Sequence, residues 1–184
     1  RSHGYTPSVT SMVSSNGRFF TIVDETLAGA SDAVPSKWML VARDAFNGVL
    51  LWKKPIPNWG AYEMSGLADS GAGISVGRFT MPPHAAKRLV AVGDKVYVTL
   101  GAQAPVSEIH AATGEVLQVY EGTERTDEIL LSEECLILAI NPDPSQRPPF
   151  IESGESPPPG YGKRIKVVNA ITGAPLWEAG PFSA

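Results

Sequence analysis

Three copies of one short turn constrain this chain more than any other feature. The first is Asp44-Ala45-Phe46-Asn47-Gly48, with Trp52 four residues after the glycine. The second is His110-Ala111-Ala112-Thr113-Gly114, and the third is Asn169-Ala170-Ile171-Thr172-Gly173, with Trp177 in the same place. Each copy separates two apolar runs: residues 38–43 and 49–53, 106–109 and 115–120, 164–168 and 175–178. β-prone runs on either side of a tight polar turn, whose glycine can take a positive φ, are the signature of a hairpin. The Asp, Asn or His at the head of the turn can accept bonds from turn N–H groups. The tryptophan offers a flat apolar surface and one N–H donor.

The hairpins extend to a repeating unit of four strands. The first group covers residues 8–13, 18–23, 38–43 and 49–53. The second covers 88–92, 95–100, 106–109 and 115–120, and the third 128–132, 135–140, 164–169 and 175–178. With the strands of each group named A to D, the A–B turns are tight: Asn16-Gly17, Gly93-Asp94 and Glu133-Glu134. The motif supplies the C–D turns. Its copies stand 66 and then 59 residues apart (Asp44 to His110 to Asn169), against about 40–50 for a bare four-stranded unit. Insertions carry the surplus: residues 24–37 between B and C of the first group, 54–87 between the first two groups, and the proline-rich 141–163 between B and C of the third. In an antiparallel meander the A–B and C–D turns lie at one end and the B–C and D–A connections at the other. All three insertions therefore fall at the end opposite the tight turns, where a rigid scaffold usually carries its function.

Composition agrees with an all-β chain. Sixteen prolines and eighteen glycines suit many turns, and no convincing amphipathic helix exceeds about two turns. A net charge of −4 with 18% charged residues lacks the basic footprint of a nucleic-acid binder. No apolar run approaches the roughly 18 residues of a membrane span. The chain opens on Arg1 without a signal peptide, which suggests a processed or excised chain. Cys135 stands alone, so neither an internal disulfide nor a CxxC metal pair is available; it is expected in the buried strand 135–140.

The hairpin Leu40-Val41-Ala42-Arg43-Asp44-Ala45-Phe46-Asn47-Gly48-Val49-Leu50-Leu51-Trp52 resembles the blade repeat of quinoprotein-type β-propellers, the repeats described as pyrroloquinoline-quinone (PQQ)-binding-like. Val167-Val168-Asn169-Ala170-Ile171-Thr172-Gly173-Ala174-Pro175-Leu176-Trp177 matches with Asn for Asp. The middle copy departs, with His110 at the Asp position and Gln118 at the Trp position. The family includes quinoprotein alcohol dehydrogenases and the propeller lipoprotein of the bacterial outer-membrane assembly machine. The resemblance implies a propeller of four-stranded blades: blade 1 over residues 1–54, an inter-blade insertion over 55–87, blade 2 over 88–122, and blade 3 over 123–184 with its insertion at 141–163. Propellers have four to eight blades. Three blades are therefore either part of a larger propeller or one of several copies that close together. The resemblance also implies an extracytoplasmic, bacterial setting.

Chemistry is less legible. A quinoprotein dehydrogenase would hold PQQ and Ca²⁺ in the propeller centre, often under a vicinal disulfide that a lone cysteine cannot form. Asp24 and Glu25, at the end of a B strand on the elaborated end, are the best acidic pair; Ca²⁺ wants more oxygen ligands than these two supply. His3, His84 and His110 are too scattered to read as a metal set. Gly73-Ile74-Ser75-Val76-Gly77 has the Gly-x-Ser-x-Gly spacing, but the stretch Gly71-Ala72-Gly73-Ile74-Ser75-Val76-Gly77 lacks the strand-then-helix context of a nucleophile elbow and the lysine of a phosphate loop. The insertions carry exposed-looking aromatic and basic residues: Trp59, Tyr62, Arg78 and Phe79 with His84 in the first, Phe150 and Tyr161 in the proline-rich one. Trp, Tyr and Arg are the residue types of binding hot spots. The expectation is a non-catalytic scaffold that binds a protein, peptide or glycan through its B–C and D–A loops, with no evident cofactor. The alternative is part of a PQQ-dependent oxidoreductase.

Overall fold

The computed structural model describes residues 9–26, 36–60, 83–142 and 162–182. These form three four-stranded antiparallel sheets, each a simple meander. Blade 1 is β1 (Val9–Ser15), β2 (Arg18–Asp24), β3 (Trp38–Asp44) and β4 (Leu50–Pro55). Blade 2 is β5 (Leu89–Val92), β6 (Lys95–Thr99), β7 (Val106–His110) and β8 (Val116–Tyr120). Blade 3 is β9 (Thr126–Ser132), β10 (Cys135–Ile140), β11 (Lys163–Asn169) and β12 (Pro175–Phe182). The A strands line up at the inner edge, β1 beside β5 and β5 beside β9. A short 3-10 turn, Pro83–Lys87, packs against both β1 and β9. The sheets do not close on one another, which is the arrangement of a partial propeller.

The three C–D turns fold alike. Asp44 Oδ1 accepts from the N–H of Phe46 (2.9 Å) and of Asn47 (3.0 Å), and Asn169 Oδ1 accepts from Ile171 (3.0 Å) and Thr172 (2.8 Å). At His110 the ring Nδ1 lies 3.2 Å from Thr113 Oγ1. All three turns end on a glycine at φ 74 to 76°, a conformation that suits a residue without Cβ. Each is tied to its own A–B turn by the alanine N–H: Ala45 to Gly17 O, Ala111 to Asp94 O and Ala170 to Glu134 O, at 2.7–2.8 Å. Each blade also shifts register at the same point of the C–D pair, between Ala42 and Arg43, Glu108 and Ile109, and Val167 and Val168. That bulge delays the D strands, which begin at Leu50 and Val116 rather than directly after the glycine.

The core lies between blades. Phe20, Ile22, Leu40 and Ala42 of blade 1 pack on Leu89, Val96, Val98 and Ile109 of blade 2. Tyr97, Val106 and Tyr120 of blade 2 pack on Ile129, Leu136, Leu138 and Val168 of blade 3. Cys135, expected in the core, is only half-buried. It is the first residue of β10, beside the A–B turn, where the sheet opens to solvent.

Across each junction the same acceptor repeats, the carbonyl of the motif alanine. Trp52 Nε1 donates to Ala111 O at 2.9 Å, and the indole lies flat over Gly114, where a Cβ would stand 2.8 Å from the ring. At the second junction Gln118 replaces the tryptophan and lies against Gly173. The carbonyl that matches Ala111 O is Ala170 O, and it is met by the Tyr120 hydroxyl at 2.6 Å. That hydroxyl is also 3.0 Å from Glu108 Oε2, whose other oxygen pairs with Lys95 at 2.9 Å. Burial, then the neighbouring Glu108 carboxylate, pushes the Tyr97 phenol up to about 12 and raises Tyr120 as well. Both phenols stay protonated donors at neutral pH.

The A–B turns differ in strain. Asn16 and Gly17 are both at positive φ, as the primed hairpin turn requires. In blade 3 the equivalent conformation falls on Glu133, at φ 53°. A β-carbon in this region costs about 1 kcal/mol. Glu133→Gly is therefore expected to stabilise the chain by roughly that amount, read as a higher urea midpoint at unchanged m-value. An unchanged or lower midpoint would count against strain at this turn.

Candidate functional site at the loop end

Strand order sends every B–C and D–A connection to one end of the blades. The described chain leaves this end after Thr26, Gly60 and Pro142 and returns at Ser36, Pro83 and Gly162. What lies beneath these exits is a chain of ion pairs. Arg88, just before β5, is 2% exposed. Its Nη2 meets Asp127 Oδ1 at 2.7 Å, and its Nη1 donates to Ala102 O at 2.7 Å. The second oxygen of Asp127 pairs with Lys163 Nζ at 2.9 Å. One carboxylate thus joins the start of blade 2 to strands β9 and β11 of blade 3. Beside it Lys87 pairs with Glu128 at 2.9 Å, and the Ser11 hydroxyl donates to Ala85 O at 2.9 Å. Burial lowers the Arg88 pKa, and the bond to Asp127 and its charge offset part of that. Arginine stays charged throughout the physiological range.

Trp59 does not lie on the surface, as its place in a polar insertion suggests. It is 2% exposed, with the Arg88 guanidinium 5.8 Å from its ring centroid. The flat ring fills the gap between blades 1 and 2 and gives the buried cation a π face. Among the described residues no hydrogen-bond partner meets its N–H, that of Trp38 or Arg88 Nε, all of them buried.

Asp24 and Glu25 are brought together at the end of β2, and each is engaged. Asp24 is buried, and its Oδ1 accepts from Thr26 N (3.0 Å), Thr26 Oγ1 (2.6 Å) and Lys37 N (2.9 Å). It closes the neck of the B–C connection. Glu25 forms an ion pair with Lys53 of β4. His84 lies within the 3-10 turn under the loop end, and His110 lies at the opposite end, on its C–D turn. Tyr62, Arg78, Phe79, Phe150, Tyr161 and His3 lie outside the described residues. Among the described residues no three His, Cys, Asp or Glu side chains gather as a metal set.

Sequence reasoning missed Arg88, Asp127 and Lys163. Their signal was positional: Lys87-Arg88 and Thr126-Asp127 each stand at the entry to an innermost strand with opposite charge. The pairing becomes visible only once the A strands are side by side.

This three-blade arrangement is that of a partial β-propeller. The chain is similar in structure to a europium-containing methanol dehydrogenase, with a TM-score of 0.51 and 12% identity over 96% of this chain and 27% of that one. It is equally similar to the quinohemoprotein alcohol dehydrogenase from Comamonas testosteroni, with a TM-score of 0.51 and 16% identity over 96% of this chain and 21% of that one. BamB from Moraxella catarrhalis aligns more loosely, with a TM-score of 0.40 and 16% identity over 86% of this chain and 33% of that one. The chain therefore spans about a quarter of the length of the two dehydrogenases. No family model matches the sequence, and no curated protein matches it.

A planar tricarboxylate quinone needs an open aromatic face and free cations. At the described loop end the Trp59 indole is buried beneath Arg88, and Arg88 and Lys163 share Asp127. These residues do not fit such a group. They do fit a structural brace. Removing one member of a buried pair leaves the other charge uncompensated, at a cost of about 3–5 kcal/mol. Asp127→Leu alone, which leaves the buried Arg88 without its carboxylate, is expected to lose about that much in urea unfolding, whereas the Arg88→Met/Asp127→Leu double variant recovers most of it. Losses that simply add in the double variant would contradict the brace.

Proposed function

We propose that the chain is a rigid propeller scaffold that binds a protein, peptide or glycan at its loop end, in an extracytoplasmic compartment. The observation that carries this reading is the commitment of the loop-end charges to one another. Arg88, Asp127 and Lys163 form one chain, Lys87 holds Glu128, Lys53 holds Glu25, and Asp24 holds its own loop neck. Charges that neutralise each other make a firm base beneath the long connections. Recognition then falls to the connections, which carry Tyr62, Arg78 and Phe79. Such aromatic and arginine side chains on a fixed base are how interfaces concentrate their affinity.

Photo-crosslinkers placed singly at Tyr62, Arg78 and Phe79, and at Phe46 on the tight-turn end, test the reading in the native host. Crosslinked partners are expected from the loop positions and not from Phe46. Substituting Arg78 and Phe79 by alanine should cost the complex roughly tenfold or more in affinity. Crosslinks confined to Phe46 would overturn the choice of end. Reduction of an artificial dye by alcohols, with Ca²⁺ and added quinone, would overturn the non-catalytic assignment.

A further inference from the structure

The two terminal blades expose complementary halves of the junction that the chain builds twice within itself. At each internal junction a D-strand residue of one blade lies on the motif glycine of the next, and a donor from that strand meets the carbonyl of the motif alanine. Blade 3 carries the donor half with nothing to seat it on: Trp177, at the position of Trp52, is 53% exposed. Blade 1 carries the acceptor half with nothing seated: a Cβ at Gly48 would meet no atom within 4 Å.

Core positions tell the same story in register. Met12, Leu89 and Ile129 are equivalent, paired with Thr21, Val98 and Leu138. Leu89 and Ile129 face a preceding blade and are 2% exposed; Met12 has none and is 68% exposed. On the other face Val13, Val90 and Leu130 are equivalent, paired with Phe20, Tyr97 and Ile137. Val13 and Val90 are packed against a following blade, whereas Leu130 is 53% exposed.

We propose that the chain associates head to tail with a second copy of itself, the Trp177 and Leu130 face of blade 3 in one copy seating on the Gly48 and Met12 face of blade 1 in the other. The occupant is a second copy because the surface that Trp177 fits, a positive-φ glycine after an alanine in this turn with nothing over it, stands on this same chain at residues 44–48. In the seated junction the Trp177 indole lies over Gly48 and its N–H donates to Ala45 O. The contact joins two different surfaces, so it either closes into a ring or propagates. It is independent of loop-end binding.

Sedimentation velocity of the full 184-residue chain over a concentration series tests this. The expected result is a reversible dimer or closed ring. Trp177→Arg and Met12→Asp, both at exposed positions, should each weaken it by roughly thirtyfold while leaving the β-sheet circular dichroism unchanged. Mixing the two variants should restore mixed complexes, because each supplies the half that the other lacks. A parent chain that stays monomeric at every concentration overturns the proposal and assigns the faces to blades of another origin. Assembly that persists in both variants overturns it as well.

Discussion

The structure depends on a hydrogen bond made between blades rather than within one. Each sheet is a meander that satisfies its own backbone, and nothing in the ladders dictates how sheets stack. Stacking is set by apolar faces, which are non-directional, and by directional contacts across each seam, of which one recurs at the carbonyl of the motif alanine. Trp52 makes it to Ala111 O and Tyr120 makes it to Ala170 O. The motif glycine gives the room, the motif alanine gives the carbonyl, and the bond from the alanine N–H to the A–B turn holds that carbonyl in place. A five-residue turn thereby fixes both the hairpin it closes and the seat of the blade before it.

The second seam shows that chemistry, not residue identity, is retained. Gln118 cannot cover Gly173 with a ring, and its amide turns to Ile171 O and Gly173 N. Tyr120, two residues further along β8 and on the same side of the strand, reaches the same carbonyl with a phenol. That phenol needs a polar environment in an apolar seam, which Glu108 and Lys95 supply. The loop end is braced differently, by the Arg88–Asp127–Lys163 chain across the inner strands. The long connections leave from the end that holds this buried ion pair.

Much of this was legible in the residues. The three turns, their glycines and the alternation of the flanking runs specify hairpins, strand order and the end at which insertions fall. Those are local properties, written within a few residues of each other. The weak middle motif was visible as His110 and Gln118, but its replacement by Tyr120 was not, because that contact spans 50 residues. Trp59 was misjudged for the same reason. Its neighbours in sequence are polar and small, and the cation that covers it, Arg88, arrives from the far side of an insertion. Asp24 and Glu25 are adjacent in the sequence; that each is engaged by Lys37, Thr26 or Lys53 is tertiary information.

The central claim is that seam contacts from Trp52 and Tyr120 are equivalent and stabilising. Equilibrium urea unfolding of Trp52→Phe and Tyr120→Phe tests it most directly. Each variant keeps an aromatic ring and removes the donor, leaving a buried carbonyl unmet. The account predicts a loss of about 1–3 kcal/mol in each. Losses of only a few tenths in both would mean that these seam bonds do not hold the blades, and would contradict it.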